Sequence, residues 1–215
     1  MRIVVAENYI LRFGNVKKYN AMALKIARIA LNMPKSPENG TVTSIRAAEL
    51  NLLLGITGKS LYNKHMEYKK SLESLSLYDD NGNLLLDDFG EPVHPFRTVA
   101  YNKGVYKFDI NPKADVMTSE KRKYIYYDSR NLKSLKTTYS IALYEQLKFA
   151  QLKDIKPMII LKKEDLSERN TSDDLNDLKR TLERAVKCVN ETDLQIVETD
   201  FSEKTICIYA QSRAY

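Results

Sequence analysis

The stretch from residue 45 to residue 110 constrains this chain most. The run Ile45-Arg46-Ala47-Ala48-Glu49-Leu50-Asn51-Leu52-Leu53-Leu54 ends at Gly55, and glycine is the residue that closes helices in the left-handed conformation. Ile56-Thr57-Gly58 leaves room only for a tight turn. Residues 59–75 then resume helical spacing, with Leu61, His65, Tyr68, Leu72 and Leu75 on one face. Two helices joined by a short glycine-containing turn is the sequence form of a helix-turn-helix. Asn81-Gly82 and Asn102-Lys103-Gly104 follow as hairpin turn signals. The second is flanked by Thr98-Val99-Ala100-Tyr101 and by Val105-Tyr106-Lys107-Phe108-Asp109-Ile110, which alternates apolar and polar. Helices followed by antiparallel strands is the order of a winged helix.

The remaining segments fit around that unit. Residues 2–5 read as a short strand or an extended arm. Met22, Ile26, Ile29 and Met33 predict a helix over residues 16–32, stopped by Pro34 and Pro37. Residues 41–43 read as a very short strand, with Ser44 as N-cap of the helix that follows. Leu135, Tyr139, Leu143 and Leu147 mark another helix running to about residue 152, and Ile155-Lys156-Pro157 breaks it. Beyond the break come a strand at 158–161, a short helix at 163–168 and a turn. A helix capped by Ser172 or Asp173 follows, with Leu175, Leu178, Leu182, Val186 and Val189 on one face. Residues 193–199 and 204–210 close the chain as a hairpin. The expected class is α+β, two tandem winged-helix domains. Residues 1–153 would form an N-terminal domain, and residues 154–215 a compact second one.

Composition narrows the function classes. The 215 residues carry a formal net charge of +6. That figure divides unevenly: 23 basic against 15 acidic side chains over residues 1–150, and 11 against 13 over the rest. A basic front end is the footprint of a phosphate-binding surface as well as of a lysine-rich solvated one. No apolar run approaches the roughly 20 residues of a membrane span, and the first ten residues are too polar for a secretory leader. Two cysteines, Cys188 and Cys207, do not make a disulfide framework. The expectation is a cytoplasmic protein with no membrane partner.

Three segments resemble the plasmid replication initiators of the Rep superfamily, which carry two winged-helix domains. Tyr139-Ser140-Ile141-Ala142-Leu143-Tyr144-Glu145-Gln146-Leu147 is similar to that family's Tyr-Ser-Ile-Arg-Leu-Tyr-Glu-Leu-Leu pattern, with Ala142 in place of Arg and Gln146 in place of Leu. Leu178-Lys179-Arg180-Thr181-Leu182-Glu183-Arg184-Ala185-Val186, with Asn190-Glu191-Thr192-Asp193-Leu194, resembles a second family stretch. Residues 49–62 resemble the first domain's helix-turn-helix. The order and spacing of the three extend the likeness over about residues 20–210. The span 161–173 is shorter than is usual there. The resemblance implies a non-enzymatic initiator that binds double-stranded origin repeats, exchanges between homodimer and monomer, and recruits host replication proteins. A winged-helix transcriptional regulator, or a Rep-like interaction protein without a DNA role, would have the same fold.

Candidate DNA contacts follow from helix geometry. On the helix from 173 to 189, Asn176, Arg180, Arg184 and Lys187 fall opposite the apolar stripe. Arginine can pair bidentately with guanine and asparagine with adenine. In the first domain Lys59, Asn63 and Lys70 face away from Leu61 and Leu72, flanked by Ser60 and Lys64. Lys121, Arg122 and Lys123 form a basic cluster suited to phosphates, and the tyrosines beside it are expected to pack rather than to stack on bases.

Catalytic and cofactor chemistry finds no footing. The two histidines, His65 and His94, form no His-x-His pair, and neither cysteine has a Cys-x-x-Cys partner. Asp79-Asp80 and Asp87-Asp88 bracket a turn, which explains them better than a nuclease cluster does. No glycine-rich phosphate loop is present. No catalytic residue, cofactor or metal site is expected.

Overall fold

A computed structural model describes residues 1–11, 13, 16, 19–57, 60–78, 83–114, 123–154, 156–162, 172–202 and 205–213. The chain divides into two compact units, each described separately below. The first comprises Met1–Tyr9 and Tyr19–Lys133; the second comprises Ile10–Lys18 and Ser134–Tyr215.

The first unit contains β1 (Arg2–Ala6), α1 (Ala21–Leu31), β2 (Val42–Arg46), α2 (Ala47–Leu54), α3 (Ser60–Asn63), α4 (His65–Glu73), β3 (Phe96–Asn102), β4 (Val105–Ile110) and β5 (Tyr124–Asp128). The short α5 (Asn131–Ser134) lies at its end. Asn20 caps α1 by accepting from the backbone N–H groups of Met22 and Ala23. The expected start at residue 16 was early, because apolar spacing alone does not reveal that cap. Ser44 is not a cap. It sits inside β2 opposite Lys107, and α2 begins at Ala47, whose N–H bonds Gly104 O across the sheet. Gly55 closes α2 at φ 65°, as its place in the sequence predicts.

The predicted helix over 59–75 is two helices with a break at Lys64. Of its predicted apolar face, Leu61, Tyr68, Leu72 and Leu75 are buried and His65 is half-buried. Strands β2, β4 and β3 form an antiparallel sheet in that order. The β3–β4 turn carries Lys103 at φ 48° and Gly104 at φ 80°, the two positive φ angles of a type I′ hairpin. Helix, strand, helices and hairpin, with the last strand in the middle of the sheet, is a winged helix. A separate two-stranded sheet pairs β1 with β5.

The second unit repeats the plan. It contains α6 (Thr138–Ala150), β6 (Met158–Lys162), α7 (Ser172–Val189), β7 (Leu194–Phe201) and β8 (Thr205–Ser212). The sheet order is β6-β8-β7, again with the last strand central. The short helix expected at 163–168 and the Asn81-Gly82 turn lie outside the described residues. The break between units falls at Lys133 and Ser134, not near residue 153. The reason is what α6 touches. Thr137 and Ser140 close a capping box that starts α6 afresh after α5. Tyr144 then donates to Asp193 at 2.7 Å, Lys148 meets the same carboxylate at 3.2 Å, and Gln151 reaches Ser212 at 2.6 Å. Leu11 joins this unit by accepting from Gln146 at 2.6 Å, and the Phe13 ring packs on Tyr139.

Asp193 therefore ties the turn after α7 to α6. Replacing it by Ala leaves the Tyr144 hydroxyl and the Lys148 ammonium without that acceptor. A loss of about 2 kcal/mol of unfolding free energy is expected, the usual cost of stranding a partly buried donor. Urea titration of the full chain checks it; an unchanged midpoint would show that the carboxylate does not hold the unit together.

Candidate nucleic-acid interface

Helix α7 is amphipathic with a clean division. Leu178, Leu182, Ala185 and Val189 are buried, whereas Asn176, Arg180, Arg184 and Lys187 are all exposed. At 100° per residue these four polar residues lie on the side opposite the buried stripe. The helix directly precedes the β7–β8 hairpin, the position of the recognition helix in a winged helix. Arg180 approaches Asp177 at 3.6 Å, both side chains well exposed, so solvent competes strongly for this pair. Glu183 also falls on the exposed face, a carboxylate that apolar spacing had not singled out. Lys179 lies 5.5 Å from the centre of the Phe201 ring, which joins the helix to β7 by a cation–π contact.

In the first unit Ser60 opens α3 half-buried, and Asn63, Lys64 and Lys70 are exposed. The break at Lys64 means that they do not share one continuous helical face. His65 Nδ1 lies 2.7 Å from Tyr62 O across that break. The His65, Tyr62 and Tyr101 rings cluster between helix and sheet. Beneath them the Tyr106 hydroxyl donates to Leu61 O at 3.0 Å. Burial pushes the Tyr106 pKa well above its usual value. This bond fixes α3 against the central strand.

Three basic residues at the sheet lie outside the set that the sequence pointed to. Arg46, Lys103 and Lys107 are exposed, with Arg46 and Lys107 on the paired strands β2 and β4 and Lys103 at the hairpin tip. The turn signal Asn102-Lys103-Gly104 marked the tip but not its charge as useful. Lys59, Lys121 and Arg122 lie outside the described residues. Lys123 is exposed just before β5. Of its neighbouring tyrosines, Tyr127 is buried and Tyr126 lies under Arg2, whose guanidinium is 4.1 Å from the ring centre.

Two other carboxylates among the described residues have structural partners. Arg97 on β3 bonds Asp109 on β4 at 2.7 Å and Thr41 at 3.0 Å. Asp87 accepts from the N–H groups of Phe89 and Glu91, the turn chemistry expected of it. Cys188 is buried, Cys207 half-buried, and neither is in a disulfide. Among the described residues no group of three or more His, Cys, Asp or Glu side chains is placed to hold a metal ion. Nor is any described helix long and apolar enough to cross a membrane.

The family model for the WH1 domain of initiator replication proteins matches residues 3–148. The chain belongs to this family. It is a DNA-binding replication initiator. Among solved structures, the initiator is similar to the Pi initiator protein in complex with iteron DNA. The two share 17% identity over 100% of this chain and 98% of that one, with a TM-score of 0.71. At that identity the likeness is one of fold. Two crystal structures of domains 2 and 3 of RctB are more distant. They share 9% and 10% identity, cover 90% and 99% of this chain and 81% and 86% of theirs, and both give a TM-score of 0.47. No curated protein sequence matches the initiator.

The Arg97–Asp109 pair gives the wing of the initiator a pH dependence of definite sign. The hydrogen bond from Arg97 holds the Asp109 carboxyl below its ordinary value of 3.8. A depressed carboxylate pKa contributes stability that is present above the unfolded value and is lost as pH falls through the folded one. Asp109→Asn is therefore expected to be less stable than the parent chain at pH 7. It should equal the parent once the pH lies well below 3.8. Thermal unfolding of both proteins across that range checks it; a stability gap that persists undiminished into acid would refute it.

Proposed function

We propose that this initiator binds repeated double-stranded sites in an origin, reading bases with α7 and gripping phosphates with its first unit. Asn176, Arg180, Arg184 and Lys187 are the base-reading side chains, entering the major groove from one helix face. Ser60, Asn63, Lys64 and Lys70, with the basic segment Lys59 and the cluster Lys121, Arg122 and Lys123, position the chain on the backbone. Arg46, Lys103 and Lys107 add to that grip. The initiator self-associates through its first unit, recruits host replication proteins and catalyses no reaction itself.

The observation that carries this reading is the exposed face of α7. Four hydrogen-bonding side chains, three of them basic, project on the side of a recognition helix that its own unit leaves uncovered. The similarity of fold to the Pi initiator protein, whose structure holds iteron DNA, supports repeated sites as the target. The net charge of +6 favours a polyanionic partner.

Selection from a random duplex pool should recover one short motif, found as direct repeats in the replicon that encodes the protein. Arg180→Ala should weaken binding to that motif by about 1–3 kcal/mol and relax one base position. Lys64→Ala with Lys70→Ala should weaken specific and non-specific duplexes alike, and lower the salt slope by roughly one per lysine. Equal affinity for the selected motif and its scrambled form would exclude the reading.

A further inference from the structure

Phe89 is 90% exposed, and the turn that presents it is held by hydrogen bonds. Asp87 Oδ1 accepts from Phe89 N at 2.9 Å and from Glu91 N at 3.0 Å. Asp87 N donates to Glu91 O at 2.8 Å, and Gly90, at φ 82°, donates to Asp87 O at 3.1 Å. Behind the turn, Leu85 N donates to Leu77 O at 2.9 Å and Val93 N to Leu85 O at 2.8 Å. Leu77 and Val93 are buried and anchor the excursion in the first unit. Leu84 and Leu86, two residues apart and thus on the same side of an extended segment, are 46% and 51% exposed. An aromatic ring and two leucines are displayed on a backbone whose shape is already set. That is the make-up of a binding anchor, because little entropy remains to be lost on docking.

The charge around this anchor says what docks there. Asp88 and Glu91 are exposed on either side of the ring in sequence, and Asp87 is half-buried. Among the described residues, the cation paired with these carboxylates is Lys113, 3.7 Å from Asp88 in an exposed pair. Carboxylates so placed repel phosphates, so DNA is excluded from a face that lies on an otherwise basic protein. The complementary surface is an apolar pocket for one ring, rimmed by lysine or arginine.

We propose that the 84–91 turn is the docking element for a protein partner presenting such a basic-rimmed apolar pocket. This rests on the reading of the chain as an initiator that recruits replication proteins, and it names the recruiting surface. The test replaces Phe89 by photoreactive p-benzoylphenylalanine in the full chain, in cells whose replicon depends on it, with Glu198 labelled in a parallel sample as an exposed control. Irradiation at position 89 should give one protein adduct, mapped by mass spectrometry to an apolar pocket flanked by basic residues. Adding Asp88→Lys and Glu91→Lys to the labelled chain should lower the adduct about tenfold while leaving the gel shift on the selected duplex unchanged. The proposal is overturned by an adduct on a second copy of this chain, by no adduct beyond the control, or by an adduct that survives charge reversal. Because duplex binding is measured on the same samples, loss of DNA binding would instead count against the function proposed above.

Discussion

The pairing of the last strand of each unit with both of its neighbours is the constraint on which the rest depends. In the first unit β4 lies between β2 and β3, and in the second β8 lies between β6 and β7. A strand that comes last in sequence but sits in the middle must draw together the strand before the recognition helix and the strand after it. The helices are then held on one face of a three-stranded sheet. Tyr106 shows how directly this acts: from the central strand β4 it fixes Leu61 of α3 through a buried hydrogen bond. The alternation of buried Tyr106, Phe108 and Ile110 along β4 supplies the apolar side of the same contact.

The second unit adds polar ties to its own apolar core. Asp193, just past α7, collects Tyr144 and Lys148 of α6, and Asn190 accepts from Ile196 N at 2.7 Å at the start of β7. The end of α7 is thereby fixed from both sides, and its exposed face is left with Asn176, Arg180, Arg184 and Lys187. The surplus basic charge lies in residues 1–150, whereas α7, the helix proposed to read bases, lies in the acidic remainder. The conflict eases at residue level. Acidic side chains of α7 such as Asp177 and Glu183 are interleaved with the basic ones rather than opposed to them, which lowers attraction to any phosphate while leaving directional donors for base edges.

The acidic, apolar turn around Phe89 extends this division of surfaces. Exposed basic residues on α7 and on the first unit's sheet suit a polyanion, and the proposed aromatic anchor, with exposed Asp88 and Glu91 beside it in sequence, suits a protein. Asp87 serves as the turn's scaffold, so the same residue that shapes the backbone also sets the sign of the local field.

Periodicity in the sequence determined the helices, the hairpin at Asn102-Lys103-Gly104, the left-handed Gly55 and the polar face of α7, because each depends on residues a few positions apart. The two-domain winged-helix class and the family likeness were legible for the same reason. Helix starts were less so: Asn20 caps α1, and Ser44 joins a strand because β4 offers it a ladder that no local pattern announces. The break at Lys64 and the transfer of α6 and Leu11 to the second unit were settled only in the tertiary structure. They depend on Tyr106, Asp193 and Gln146 meeting partners 45, 49 and 135 residues away in sequence, and hydrogen bonds over such separations leave no trace in local spacing.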